Sequence, residues 1–310
     1  MKSLWSGWVK GCLVLWRFAR PHTIYGTSAS VVGLYGLASP GMPVALGQLP
    51  LLGSALVACL AMNIYIVGLN QLMDVDIDRI NKPWLPIAAG HLTVQQGWGI
   101  IGICGSVGIL LSLMQVPYLV LTVGLSALIG TAYSLPPLRL KRFPLMAALC
   151  ITVVRGWIVN LGLFAAFQQA MTGSVRLEGS ILALVVFITI FGIVISVFKD
   201  IPDMEGDRRF QIATFSLQWG AQPVLNGSVA ILIGSYLILG ILGSALLPQV
   251  NVGILSSTHL AAAGILGYCR HRLSSQDPQA IMDYYFLIWR LFYAEYLLYP
   301  LAFIYSLLIY

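Results

Sequence analysis

Charge is the scarcest resource of this sequence. Only 9% of its 310 residues are Asp, Glu, Lys or Arg, and 58% are apolar. A soluble domain carries about 25% charged and 45–50% apolar residues. So little charge cannot clothe a water-facing surface, which excludes a soluble enzyme, a disordered chain and a nucleic-acid binder. Paired cysteines are missing too. Cys12, Cys59, Cys104, Cys150 and Cys269 are scattered with no CxxC spacing, so neither a disulfide framework nor a zinc site is expected. A secretory leader is not expected either. Lys10 and Arg17 stand too close together for an apolar signal core. Trp5, Trp8, Trp16 and Phe18 lie among Lys2, Lys10, Arg17 and Arg20 and predict a short helix in the membrane interface, a frayed tail being the alternative for residues 1–12.

What is present is a series of apolar runs, each near the 20 or so residues that cross a bilayer. They fall at 22–38, 50–72, 94–115, 117–135, 144–169, 179–199, 222–246, 250–269 and 286–308. Turn formers break them: Pro40-Gly41-Met42-Pro43, Pro117, Pro136-Pro137, Pro144 and Pro248. With the N-terminus inside, fourteen of the seventeen basic residues fall on inside segments. The outside loops hold only Arg176, and Arg155 and Arg290 fall within spans. This positive-inside bias predicts an all-α integral membrane protein. Nine transmembrane helices, a cytoplasmic N-terminus and one domain over 1–310 are expected.

The acidic residues are placed more tellingly. Seven of the eleven are Asp74, Asp76 and Asp78, then Asp200, Asp203, Glu205 and Asp207. Each group closes an apolar run, and the predicted topology puts both on the cytoplasmic face. On a helix Asn70, Asp74 and Asp78 recur every four residues and share a face. Asp200, Asp203 and Asp207, spaced three and four apart, also share a face, with Pro202 able to kink the segment. A carboxylate in mid-membrane costs about 2.5–3.5 kcal/mol, and clustered carboxylates also repel. Divalent cations relieve that repulsion. Mg²⁺ in particular takes a few carboxylates, keeps waters and completes its shell with substrate phosphate. Neither stretch has the twelve-residue pattern of an EF-hand.

An anionic substrate needs cations. Lys82, Arg139, Lys141, Lys199 and Arg208 share the acidic face and are candidates for binding diphosphate oxygens, with Tyr133 beside the cationic turn at 133–142. Within the spans, Asn63, Tyr65, Arg155, Asn160, His259, Arg290 and Glu295 stand out. Arg155 is either the anchor for a small acid's carboxylate or a structural partner of Glu295. His259 reads as a helix-packing hydrogen-bonder. Trp157, Tyr65 and Tyr133 are candidates to stabilise a cation through their ring faces. Together these features suggest a diphosphate at a metal-bearing mouth with its apolar tail between helices. A cation-coupled transporter is the reading from another class. Transporters usually hold such acids near the midplane, whereas these close helix ends on one face.

These residues resemble the UbiA-type membrane prenyltransferase superfamily. Its paired motifs match Asn70-x3-Asp74-x3-Asp78 and Asp200-x2-Asp203-x3-Asp207. More specific blocks are similar to the homogentisate prenyltransferases, most of all the phytyl-transferring cyanobacterial group. They are Trp16-Arg-Phe-Ala-Arg20-Pro-His-Thr23, Asn81-Lys-Pro-Trp-Leu-Pro86, Lys199-Asp-Ile-Pro-Asp-Met-Glu-Gly-Asp207 and Glu295-Tyr-Leu-Leu-Tyr-Pro300. The resemblance implies phytyl diphosphate as donor, homogentisate as acceptor, Mg²⁺ as cofactor and membrane lipid as surroundings. No nucleic acid and no obligatory protein partner are expected. It implies Asp74, Asp78, Asp203 and Asp207 as the catalytic acids, with Asn70 and Asp200 completing the Mg²⁺-diphosphate site. Lys141 and Arg139 match the family's cationic turn. The implied membrane is a cyanobacterial thylakoid or plasma membrane. Ile87-Ala-Ala-Gly90 also resembles the solanesyl-transferring branch, so donor length stays open. Acceptors such as 4-hydroxybenzoate, dihydroxynaphthoate or a chlorophyllide are the near alternatives.

Overall fold

The computed structural model describes residues 2–247, 250–274 and 277–307, and these contain helices and loops but no strand. The chain begins with α1 (Lys2–Phe18), α2 (Pro21–Ala38), the short α3 (Met42–Gly47) and α4 (Leu49–Met73). Next come α5 (Val75–Asn81), α6 (Val94–Leu113) and α7 (Pro117–Ser134). A continuous helix over Pro144–Thr172 follows. It consists of α8 (Pro144–Thr152), a π-turn (Val153–Ile158) and α9 (Val159–Thr172). The remainder is α10 (Gly179–Phe198), α11 (Met204–Arg209), α12 (Phe215–Trp219), α13 (Ala221–Leu246), α14 (Val252–Arg272) and α15 (Pro278–Leu307).

Among the described residues, seven helices are long and apolar enough to cross a membrane. They coincide, within a few residues, with seven of the runs read from the sequence. The runs expected at 22–38 and 286–308 correspond to α2 and α15, which are not among those seven. Helix α15 also begins eight residues before the run, at Pro278, and its first turns carry Gln279 and Asp283. The turn expected at Pro248 and the last residue of the final run lie outside the described residues. Proline marks helix starts here as it does generally, because its missing N–H costs nothing in the first turn. Pro21, Pro117 and Pro144 are such starts.

The packing makes a ring. Helix α2 lies against α15, α4 and α9; α4 against α7; α7 against α9; and α10 against the π-turn and α15. Helices α6, α13 and α14 back this ring from outside, through α4, α10 and α15. Close helix approach in a membrane depends on small residues. Gly33 supplies one contact: a Cβ there would collide with the Tyr296 carbonyl of α15. The core runs along the ring through Val31, Leu34, Leu163, Phe167, Ile188 and Phe191.

The alternative ion pair of Arg155 with Glu295 is not formed. Glu295 meets His259 at 3.2 Å rather than Arg155. The His259 Nδ1–H donates to the Leu255 carbonyl at 2.8 Å, which turns Nε2 toward Glu295 Oε1. The pair ties α14 to α15 and bears out the packing role expected of His259. Arg155 lies on the other side of α15.

Candidate functional site

The ring encloses a cavity of about 790 Å³. Its mouth is built by two similar turns. Helix α4 ends at Met73, and Asp74 adopts a non-helical conformation (φ −118°, ψ 20°) before α5 begins. Helix α10 ends at Phe198, and residues 199–203 turn before α11 begins. The unbroken helical faces expected for Asn70–Asp78 and Asp200–Asp207 are therefore each interrupted. A bend at each motif turns the polar ends of α4 and α10 into the cavity, and α5 and α11 then meet across it. The Asn81 side-chain carbonyl accepts the Gly206 N–H at 2.8 Å. A Cβ on Gly206 would collide with that same side chain, so the contact requires glycine.

All six expected metal-site residues line this mouth: Asn70, Asp74 and Asp78 from one turn, Asp200, Asp203 and Asp207 from the other. Lysines cross-link them. Lys82 donates to Asp203, joining the two motifs. Lys141 donates to Asp74 at 2.5 Å, and Arg139 reaches the other oxygen of Asp74 at 3.1 Å. Lys199 pairs with its neighbour Asp200 at 2.6 Å. Arg20, expected in the interfacial segment, stands 4.0 Å from Asp78. Arg20 (φ 53°) and Arg139 (φ 38°) both sit in the left-handed backbone region, uncommon for a residue with a side chain. Both face acids of this cluster, so the strained positions coincide with the site.

The other acids of the two motifs point away. Asp76 pairs with Arg79 at 2.7 Å and Glu205 with Arg209 at 2.6 Å, and these four side chains are 61–71% exposed. Arg208 is likewise exposed, on the outer side of α11 beside Glu205 and not in the cavity wall. The expectation that it reaches the diphosphate is not met in this structure. A one-turn helix has room for Asp207 to face inward, and its neighbour then faces out.

Crowding sets the electrostatics. Burial pushes the Asp78 carboxyl up to about 6, against the opposing pull of Arg20 and Lys82. Burial, then Asp203 and Asp200, push Asp207 up to about 7. Burial also raises Asp200, opposed by Lys199, and lowers Lys141, opposed by Asp74. Asp78 Oδ2 and Asp203 Oδ1 are buried without a hydrogen-bond donor. Among the described residues no three acids, histidines or cysteines close into a metal cage. The donor set is nevertheless suited to Mg²⁺, which takes one or two carboxylates from the protein and the rest of its shell from water and phosphate. Two orphaned carboxylate oxygens at the mouth are where such ligation is wanted.

Deeper in, the wall becomes apolar and aromatic. Tyr285, Trp289, Phe292, Tyr293 and Tyr296 line it, all from α15. Of the three aromatics expected to face a cation, only Tyr133 lines the cavity. Trp157 is half exposed on the outer face. Tyr65 hydrogen-bonds Thr131 at 2.8 Å between α4 and α7. Arg155 enters the cavity from the π-turn, with its guanidinium 4.7 Å above the Trp289 ring and 5.9 Å from Phe292. Such π-bulges are frequent at functional sites. The cavity is thus two-ended, anionic and lysine-laced at the mouth, with an aromatic-backed cation about three turns in from Pro144.

A greasy cavity capped by paired carboxylate turns belongs to a membrane enzyme that handles a lipid diphosphate. The comparisons agree. Residues 27–291 match the model of the UbiA prenyltransferase family, and the chain belongs to that family: it is a membrane prenyltransferase. A homogentisate phytyltransferase from Synechocystis sp. is 47% identical over 290 residues, covering 93% of this chain and 94% of its own. A chloroplast homogentisate solanesyltransferase from Arabidopsis thaliana is 38% identical, over 92% of this chain and 75% of its own. A UbiA homologue from Archaeoglobus fulgidus, solved with GPP and Mg²⁺, superposes with a TM-score of 0.64 at 17% identity, over 94% of this chain and 99% of that one. At that identity it speaks for the fold.

Proposed function

We propose that this chain transfers a phytyl group from phytyl diphosphate to homogentisate, releasing CO₂ and diphosphate and forming 2-methyl-6-phytylhydroquinone, a step of tocopherol biosynthesis. The observation that carries this reading is the two-ended cavity. Its mouth suits a metal-held diphosphate and its aromatic depth suits a small aromatic acid. The similarity to homogentisate phytyltransferases supports it.

Asn70, Asp74 and Asp78, with Asp200, Asp203 and Asp207, would hold Mg²⁺. When bound, Mg²⁺ supplies charge neutralisation for the departing diphosphate. The protein's own cations add to this. Lys82, Lys141 and Lys199 each hold a motif carboxylate at the mouth and would also meet diphosphate oxygens there, and Arg139 steadies Asp74. The allylic carbon then develops positive charge. The ring faces of α15 stabilise it, and the apolar wall excludes the water that would quench it. Arg155 pairs with the acceptor's carboxylate and turns the hydroquinone ring toward the allylic carbon. A new C–C bond forms as the C–O bond to diphosphate breaks. The ring gives up a proton, CO₂ leaves the side chain, and the resulting methyl carbon takes a proton.

The fourteen basic residues on predicted inside segments support nine spans, a cytoplasmic N-terminus and a cytoplasmic mouth, all in one domain over 1–310. The protein is an integral membrane protein; a cyanobacterial thylakoid or plasma membrane suits this reading.

Donor preference tests the proposal. Membranes containing the protein, given Mg²⁺ and ring-labelled homogentisate, are expected to form most lipid-soluble product with phytyl diphosphate. Faster turnover with solanesyl diphosphate would move the chain to the plastoquinone-type branch.

The raised carboxyls give a second test. A carboxyl whose folded pKa exceeds its free value of 3.8 holds more protons folded than unfolded between the two values. Its contribution to stability therefore declines as pH rises through that window. Asp78 and Asp207 place the window between about 4 and about 7. In EDTA, their contribution makes the purified protein melt lower at pH 8 than at pH 5.5. Added Mg²⁺ should raise Tm more at pH 8, where both acids are ionised. An equal or larger rise at pH 5.5 would contradict the assignment.

A further inference from the structure

The π-turn that carries Arg155 is held by a side chain with no part in the metal site. Asn160 is fully buried. Its Nδ2 donates to the Arg155 carbonyl at 2.6 Å and to the Gly156 carbonyl at 2.9 Å. Its Oδ1 accepts the Tyr296 hydroxyl at 2.8 Å. Both amide protons are thereby used, as burial in a membrane demands. The two carbonyls belong to the turn in which the helix leaves α geometry. The Asn160 donors brace these carbonyls where the register changes, and their loss would let the segment relax toward an ordinary helix, rotating Arg155.

The same side chain fixes the opposite wall. Tyr296 is one helical turn beyond Phe292 on α15, and its ring meets that of Phe292 edge-on at 5.2 Å. Phe292 and Trp289 form the platform under the Arg155 guanidinium. Asn160 thus ties the backbone of Arg155 to the helix that carries its platform. A polar bridge spanning α9 and α15 at the depth of the guanidinium sets both the height and the direction of that charge.

We propose that Asn160, through Tyr296 and the π-turn, is the positioning residue that sets Arg155 for an aromatic acid's carboxylate, and so governs acceptor selection. This rests on the reading of Arg155 as the acceptor anchor. Asn160 touches neither substrate nor metal, so its effect is confined to one substrate.

A double-mutant cycle in the full-length protein tests it, reading KM separately for homogentisate and for the prenyl diphosphate. Asn160→Ser is expected to raise the homogentisate KM by about tenfold, less than the roughly 10²-fold that a 1 Å misplacement can cost, and to leave the donor KM within twofold. Tyr296→Phe, which keeps the ring and removes the hydroxyl, should shift the same constant in the same direction by less. In an Arg155→Ala background, Asn160→Ser should add nothing to the acceptor KM, because the group it positions is gone. A full additional effect there would make Asn160 a general structural residue and overturn the inference. So would an unchanged homogentisate KM in both Asn160→Ser and Tyr296→Phe. If Arg155→Ala itself leaves the homogentisate KM unchanged, the anchor reading fails first. Asn160→Ser that elutes as aggregate is replaced in the cycle by Tyr296→Phe, to which the same outcomes apply.

Discussion

Asp203→Asn should lower kcat at saturating Mg²⁺ by on the order of 10³-fold, the scale seen when an electrostatic stabiliser of developing charge is removed. Asp203 is where the two motifs meet: one oxygen accepts Lys82 and the other is buried without a donor. The Asn variant keeps the shape and removes the charge, so the loss reports chemistry rather than packing. Asp74→Asn should behave alike, because Asp74 is held by Lys141 and Arg139 at the same mouth. The neighbouring acids provide the contrast. Asp76 and Glu205 point outward into exposed ion pairs, and such pairs contribute little. Asp76→Asn and Glu205→Gln should retain activity within about twofold. Normal turnover in Asp203→Asn, or an equal loss in Glu205→Gln, would contradict the assignment of inward and outward acids.

Arg155→Ala should raise the homogentisate KM by about 10²-fold, the cost of truncating one partner of a buried charge pair. The donor KM should stay near that of the unmodified protein, because the diphosphate is bound by the lysines at the mouth. Arg155→Lys should recover only part of the loss. An ammonium keeps the charge but lacks the planar fork that grips a carboxylate and stacks on Trp289. Steady-state kinetics with each substrate varied in turn separates the two constants. Equal increases in both would mean that Arg155 belongs to the diphosphate site instead.

Much of this architecture was legible in the sequence because a bilayer leaves few choices. A long apolar run with proline at its start can hardly be anything but a spanning helix, and α4, α6, α7, α10 and α13 fall within a few residues of expectation. The acidic motifs were legible for the complementary reason, that carboxylates at the ends of such helices need a partner. Rotation about the helix axis was not legible. Glu295 was an available partner for Arg155 by composition, yet it sits on the α14 side of α15 and takes His259. Trp157 was a plausible cavity aromatic until the helix turned it outward. Arg208 shares the acidic face in one dimension and leaves it in three. The π-turn had no marker in its apolar flanks, although Asn160, a polar residue five positions after an arginine inside a span, was the signal available. Arg20 and Asn81 were hidden differently. Their partners, Asp78 and Gly206, are either in another segment or on the far side of the mouth.

Decarboxylative transfer is tested most directly by following the carboxyl carbon of the acceptor. Membranes bearing the protein would receive Mg²⁺, phytyl diphosphate and homogentisate labelled in its carboxyl group in one reaction and in its ring in another. Labelled CO₂ is expected from the first and a lipid-soluble labelled quinol from the second, in equal amounts, both abolished by EDTA and by Asp203→Asn. Prenylated product that retains the carboxyl label would contradict decarboxylative transfer. Absence of any product, in membranes that prenylate another aromatic acid, would contradict homogentisate as the acceptor.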